Sequence, residues 1–205
     1  MKPITFLLVL LLPATMAMSQ GKPAPRTIEG LKTAYAGELN ASAKYAKYAE
    51  KAAAENLPAV AQLFKATSKA ESIHATNHKR VLDVMKVKVD TPAADPITVK
   101  TTPENLADGI KGETYEFRDM YPPFLDAADK ENANEALVSF RYALETEKRH
   151  AKIYQSALDA LQAKAPGTIS AKWYVCPTCG NTYDMAGLPI SCEFCGTLKP
   201  RFISF

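Results

Sequence analysis

No cysteine precedes position 176 in this 205-residue chain. A disulfide framework therefore cannot organise most of it. Neither charge is in excess: 25 basic residues face 22 acidic ones, for a net charge of +3. No basic stripe or basic–aromatic alternation is present either, so no nucleic-acid partner is expected. Also missing is an apolar run of the ~20 residues that a bilayer span needs. The apolar run Ile4–Leu12 follows Lys2 and is broken by Pro13. Small residues follow at Thr15-Met16-Ala17, with Ala17-Met18-Ser19 as a second cleavage candidate. Residues 1–17 read as a secretory signal peptide, the rival reading being an uncleaved N-terminal anchor. There is no twin arginine and no lipobox cysteine, which favours the general secretory route. The expectation is an exported, periplasmic protein with no stable membrane association after cleavage. The length allows one sizeable core and one small extra module.

What is present is helical periodicity. After a Gly/Pro-containing lead, Thr27 is placed to cap a helix running to about Glu55, with the inward stripe Leu31, Tyr35, Glu38, Ser42, Tyr45, Ala49, Ala52. Alternating steps of four and three are the pattern of a bundle helix. Asn56-Leu57-Pro58 makes a short turn into a second helix to about Met85, with the stripe Val60, Phe64, Thr67, Glu71, His74, His78, Val81, Met85. Residues 86–102, broken by Pro92 and Pro96, predict a long crossover that lets the third helix run parallel to the second. Thr102-Pro103 offers a cap followed by proline at the first helical position. The third helix carries Leu106, Ile110, Glu113, Phe117, Met120 and Phe124, with Glu116 on the adjoining edge; Pro122 and Pro123 predict a kink. A fourth helix, from about Asn132 to Ala163, has the stripe Leu137, Phe140, Leu144, Glu147, Ala151, Tyr154, Leu158, Leu161, with His150 beside it. The bundle thus occupies residues 27–165, followed by a linker at Ala165-Pro166-Gly167-Thr168.

Two Glu-x-x-His pairs stand out, Glu71/His74 and Glu147/His150. Each places a carboxylate and an imidazole one turn apart on one helix face. Glu38 and Glu113 put a further carboxylate on the apolar stripe of each preceding helix. Four buried carboxylates cost several kcal/mol each and repel one another. Two divalent cations remove both penalties, and oxygen-rich sites with two imidazoles suit iron or manganese. His78 completes no ligand set and reads as a hydrogen-bonded inward histidine rather than a further ligand.

Residues 172–205 form a loop-rich module with too few apolar side chains to hold itself together by packing. Its two pairs, Cys176/Cys179 and Cys192/Cys195, are each followed by glycine. Such knuckles set four thiolates tetrahedrally around one metal, and both iron and zinc accept four sulfurs.

These residues together resemble a rubrerythrin over about positions 27–205. The resemblance rests on Glu38, Glu71-x-x-His74, Glu113-x-x-Glu116, Glu147-x-x-His150 and the cysteine module. Trp173, Tyr174, Pro177, Tyr183 and Phe202 make that module similar to a rubredoxin, with Glu193 standing where proline is common. The fold class implied is an all-α ferritin-like four-helix bundle plus a small metal-bound rubredoxin-like β/loop domain. The resemblance implies a di-iron centre held by Glu38, Glu71, His74, Glu113, Glu116, Glu147 and His150. It also implies one iron on Cys176, Cys179, Cys192 and Cys195, with zinc the alternative. Glu116 and His74 would compete for one iron as the redox state changes. Tyr45 and Tyr121, two turns along from Glu38 and Glu113, would hydrogen-bond near the centre. The implied activity is a peroxidase reducing hydrogen peroxide, fed by an electron-donor protein that the sequence does not identify. A ferroxidase, or an iron-binding or storage protein, is the alternative. From His150 to Ala163 the fourth helix extends about 20 Å, so the two metal centres of one chain are expected to lie far apart. A head-to-tail homodimer, which the resemblance also implies, would bring one chain's cysteines to the other's bundle.

Overall fold

The computed structural model describes residues 24–205; the expected signal segment lies outside them. Among the described residues there are five α-helices: α1 Pro25–Ala54, α2 Pro58–Val84, α3 Thr102–Tyr115, α4 Tyr121–Lys130 and α5 Asn134–Gln162. A π-helical segment, Glu116–Met120, joins α3 to α4. The module that follows carries β1 Trp173–Val175, β2 Thr182–Asp184 and β3 Ile203–Ser204, in the antiparallel order β2-β1-β3. Among the described residues no helix is long and apolar enough to cross a membrane.

The bundle directions follow from side-chain contacts. Ser42 bonds the carbonyl of Ser68, so α1 and α2 are antiparallel neighbours across the short turn. Tyr154 contacts Thr67 of α2, and its ring sits where a Cβ on Gly109 of α3 would point. One helical span further along, His78 of α2 meets Tyr121 at the start of α4. The second helix and the α3–α4 rod therefore run in the same direction, as the crossover predicts.

Two expectations about helix ends change. Thr27 does not cap α1: it lies inside the helix, and its N–H and hydroxyl both donate to Glu131, at 2.8 and 2.6 Å. A carboxylate from beyond the end of α4 thus satisfies the orphan N–H groups of α1. Likewise, Thr101 rather than Thr102 precedes α3. The Thr102 N–H donates to Glu55 at 2.9 Å, which holds that carboxyl down to about 2 through its bonds to Thr102 and Lys51. The expected kink near Pro122 is instead a widened turn. Pro122 has no N–H to offer, and the Tyr121 N–H reaches the Glu116 carbonyl, five residues back; the ladder takes up one extra residue there.

The core has two apolar halves. One contains Tyr45, Phe64, Leu106 and Tyr154, and the other Leu31, Val81, Tyr121 and Phe140. The carboxylates and imidazoles singled out in the sequence lie between them.

The module does not extend away from the bundle. After α5 the chain makes a 3-10 turn at Pro166–Thr168 and doubles back, so that Trp173 and Val175 join the apolar cluster of Ala66, Ala70 and Ile73 on α2. Arg149 of α5 lies 4.8 Å over the Tyr183 ring and pairs with Glu193. The glutamate at the position where proline is common therefore has a partner on the bundle.

Candidate metal centre

Two ligand groups form inside the bundle: Glu38, Glu71, His74 and Glu147, and Glu71, Glu113, Glu147 and His150. Glu71 and Glu147 belong to both, as bridging carboxylates between two cations would. The i, i+3 spacing in α2 and α5 brings each imidazole to its own glutamate. His74 Nδ1 is 2.9 Å from Glu71 Oε2 and 3.0 Å from Glu147 Oε1; His150 Nδ1 is 3.1 Å from Glu71 Oε1 and 3.0 Å from Glu147 Oε2. All six side chains are buried.

The donor set fits two cations. Glu38 Oε2, Glu71 Oε1, Glu113 Oε2, both Glu147 oxygens and His150 Nδ1 are buried without a hydrogen-bond partner. Natural interiors rarely leave such atoms bare, and here they all point into one space. Without metal the cage holds protons instead. Burial lifts Glu38 to about 7, aided by the charge of Glu71 and opposed by His74. Burial and repulsion from the other carboxylates push Glu116 and Glu147 well above the usual carboxylate range. Glu71 is held near 2 against burial by His150 and His74. Burial disfavours the charged imidazoles, but Glu147 and Glu38 around His74, and Glu71, Glu113 and Glu147 around His150, raise both well above their ordinary value.

Glu116 is not brought into either group. It sits at the first turn of the π-helical segment and lines an open cleft of about 460 Å³ between α1, α3 and the crossover, beside Gly37, Lys44 and Thr98. Tyr45 donates to Glu113 Oε1 and Tyr121 to Glu38 Oε1. Burial, then the adjacent carboxylates, push both phenols well above 10, so each carries its proton at neutral pH. His78 lies inward, as its place on the α2 stripe predicts. It is fully buried, bonded to Tyr121 and Ser139, and burial together with the charge of His74 lowers it to about 3.

The four cysteines are unpaired by disulfides and form one cluster, with Cys176 and Cys195 Sγ 3.4 Å apart and Cys179 and Cys192 Sγ also 3.4 Å apart. Tyr183 donates to Cys192 Sγ at 3.3 Å, and Thr197 contacts Cys195 Sγ at 3.1 Å. Gly180 and Gly196, each just after a knuckle, have φ of +81° and +72°, which glycine adopts without a Cβ penalty.

The expected separation of the two centres within one chain does not hold. His74 Nε2 is 3.1 Å from the carbonyl of Cys179, and His150 Nε2 is 2.9 Å from Thr182 Oγ1. Both ligand imidazoles thus turn Nδ1 into the cage and Nε2 toward the cysteine module. Helix length does not separate the centres because the linker reverses the chain. These module contacts, like Ser139 and the Glu131 cap, left no local signal in the sequence.

The rubrerythrin family model matches residues 29–158. Rubrerythrin-2 of Clostridium acetobutylicum is 36% identical, covering 87% of this chain and 96% of its own. Nigerythrin of Nitratidesulfovibrio vulgaris is 32% identical over 87% of this chain and 86% of its own. The solved structure of fully reduced, all-ferrous nigerythrin superposes with a TM-score of 0.80 at 28% identity, covering 98% of this chain and all of that one. A bacterioferritin of Mycobacterium tuberculosis, 15% identical, shares the bundle fold alone, with a TM-score of 0.64 over 69% of this chain and 89% of that one.

Proposed function

The chain belongs to the rubrerythrin family, and from that premise we propose that it is a non-haem di-iron peroxidase reducing hydrogen peroxide to water. The single observation that carries the reading is His74, one nitrogen in the carboxylate cage and the other on the Cys179 carbonyl. Such a contact gives a redox relay a short path between a two-metal site and a tetrathiolate site. When bound, two irons in the cage supply the electron pair, and the iron on the four cysteines replenishes it one electron at a time.

The residues supply the rest. Reducing one peroxide consumes two electrons and two protons and releases two waters. Tyr45 and Tyr121 hold a proton each, against Glu113 and Glu38. The apolar halves on either side of the cage exclude water, which strengthens every charge interaction inside. Glu116 lines a cleft beside Lys44 and Thr98, and alone among the carboxylates singled out in the bundle it would meet a small polar molecule there. It is the carboxylate free to exchange with His74, as the family resemblance implies.

Export to the periplasm, an unidentified electron-donor protein and a homodimer belong to the same proposal. The mass of the mature N-terminus tests the first and sedimentation the last. The relay no longer requires a second chain.

The deciding experiment mixes fully reduced protein with peroxide or with oxygen. Oxidation by peroxide is expected to be much the faster, and Glu116→Ala to retain the bundle irons while turnover falls about a hundredfold. Faster oxidation by oxygen would make the protein a ferroxidase.

A further inference from the structure

Tyr45 and Tyr121 look alike from inside the cage. Both are buried, and each donates to a ligand carboxylate. Behind the rings they differ. The Tyr45 ring packs on Tyr48, Phe64 and Tyr154. The Tyr121 oxygen faces His78 Nε2 at 3.1 Å, and His78 Nδ1 faces Ser139 Oγ at 2.8 Å. His78 and Ser139 are themselves buried, at 0% and 3% exposure, so bulk solvent does not compete for these bonds.

The direction of this chain follows from what each group can donate. A carboxylate that ligates metal is ionised and only accepts. The Tyr121 proton must then point at Glu38, leaving the phenol oxygen to accept from behind. The nitrogen facing it, His78 Nε2, must carry hydrogen. A neutral imidazole has only one N–H, so Nδ1 is an acceptor and Ser139 Oγ–H donates to it. Each bond fixes the next, from Ser139 through His78 and Tyr121 to Glu38.

We propose that His78 and Ser139 are positioning residues that make Tyr121, and not Tyr45, the oriented proton donor of the centre. As the Tyr121 O–H bond breaks, the proton bonds to Glu38 Oε1, which hands it on to a peroxide oxygen leaving as water, and the bonding electrons stay on the phenol oxygen. The His78 N–H is already aimed at that oxygen and stabilises the developing charge without reorganisation. The use of this proton rests on the peroxidase reading; the orientation does not.

The test has two arms. In zinc-loaded full-length protein carrying nitrogen-15 histidine, NMR is expected to find His78 protonated at Nε2 and bare at Nδ1. Ser139→Ala should shift the Nδ1 resonance alone. A proton on Nδ1 in the unmutated protein means that the chain runs the other way and overturns the proposal, whatever the activity. In iron-loaded protein, His78→Leu is expected to lower peroxide turnover about tenfold at unchanged iron content. His78→Gln, which restores an N–H donor, should recover most of it. Equal losses in the two variants, with iron intact, would overturn the positioning role. So would a larger loss from Tyr45→Phe than from Tyr121→Phe. If the unmutated protein does not turn over peroxide, the peroxidase reading fails, and the NMR arm still decides the orientation.

Discussion

The cage is a charge problem before it is a metal site. Glu38, Glu116, Glu147, His74 and His150 all hold protons more tightly in the metal-free fold than in the open chain. A group whose pKa is raised on folding contributes stability below its unfolded value and loses it as pH climbs through the folded one. His78 has the opposite sign, but its window closes at its ordinary value of 6.5. The depressed Glu55 and Glu71 act only between about 2 and 4.5, and the depressed Cys192 thiol, which opposes the trend up to its ordinary value of 9.0, is outnumbered by the raised Glu116, Glu147, His74 and His150. Metal-free protein should therefore melt at lower temperature as pH rises from about 6.5 to 8.5, whereas the metal-loaded form should not. Calorimetry of both forms checks this. Metal binding should also weaken as pH falls, because protons compete for His74, His150 and Glu147 and, below about 7, for Glu38 as well.

At the scale of elements, the helices end by one device. Asn56, Lys86, Asn132 and Lys164 follow α1, α2, α4 and α5, and all have φ between 54° and 60°. At each, the next residue's N–H reaches back to close the helix, as Val87 does to Leu82 at 2.9 Å and Ala165 to Ala160 at 2.9 Å. This is the left-handed cap usually filled by glycine. Asparagine tolerates the conformation, while lysine carries a Cβ cost. Lys86→Gly and Lys164→Gly should each stabilise the protein by about 0.5–1 kcal/mol, and Asn56→Gly by less. Urea denaturation measures the difference. The π-helical turn has a separate logic. Pro122 removes a donor, the ladder widens, and Glu116 opens the widened segment facing a cleft, where it is not drawn in with the other carboxylates.

For the molecule as a whole, the decisive contact is between module and bundle. A Cβ on Gly180 would lie 2.8 Å from His74 Cδ2 and 3.2 Å from the Ala70 carbonyl, and the residue's φ of +81° already disfavours a side chain. Gly180→Ala should therefore keep the visible absorption of the iron–tetrathiolate site but push the module off His74. In the proposed relay, electron transfer from that site to the cage should slow about tenfold or more, as stopped-flow absorption would show. An unchanged rate would remove His74 from the path.

The sequence by itself determined the parts whose geometry is local. Glu-x-x-His puts two ligands on one helix face wherever the helix lies, and Cys-x-x-Cys followed by glycine shapes a knuckle without outside help. The four-three stripes placed Glu38, Glu71, Glu113 and Glu147 inward, and the parallel course of α2 and α3 followed from the length of the crossover. Only the tertiary structure decided what faces what across the chain. Cys179 is 105 positions from His74, Glu131 is 104 from Thr27, and His78 is 61 from Ser139. Helix length predicted a distant cysteine site, but burying Trp173 and Val175 against α2 outweighed extension. No helical period or spacing encodes such pairings. They exist because the packed bundle holds distant groups at hydrogen-bond range, where a buried donor must find its acceptor.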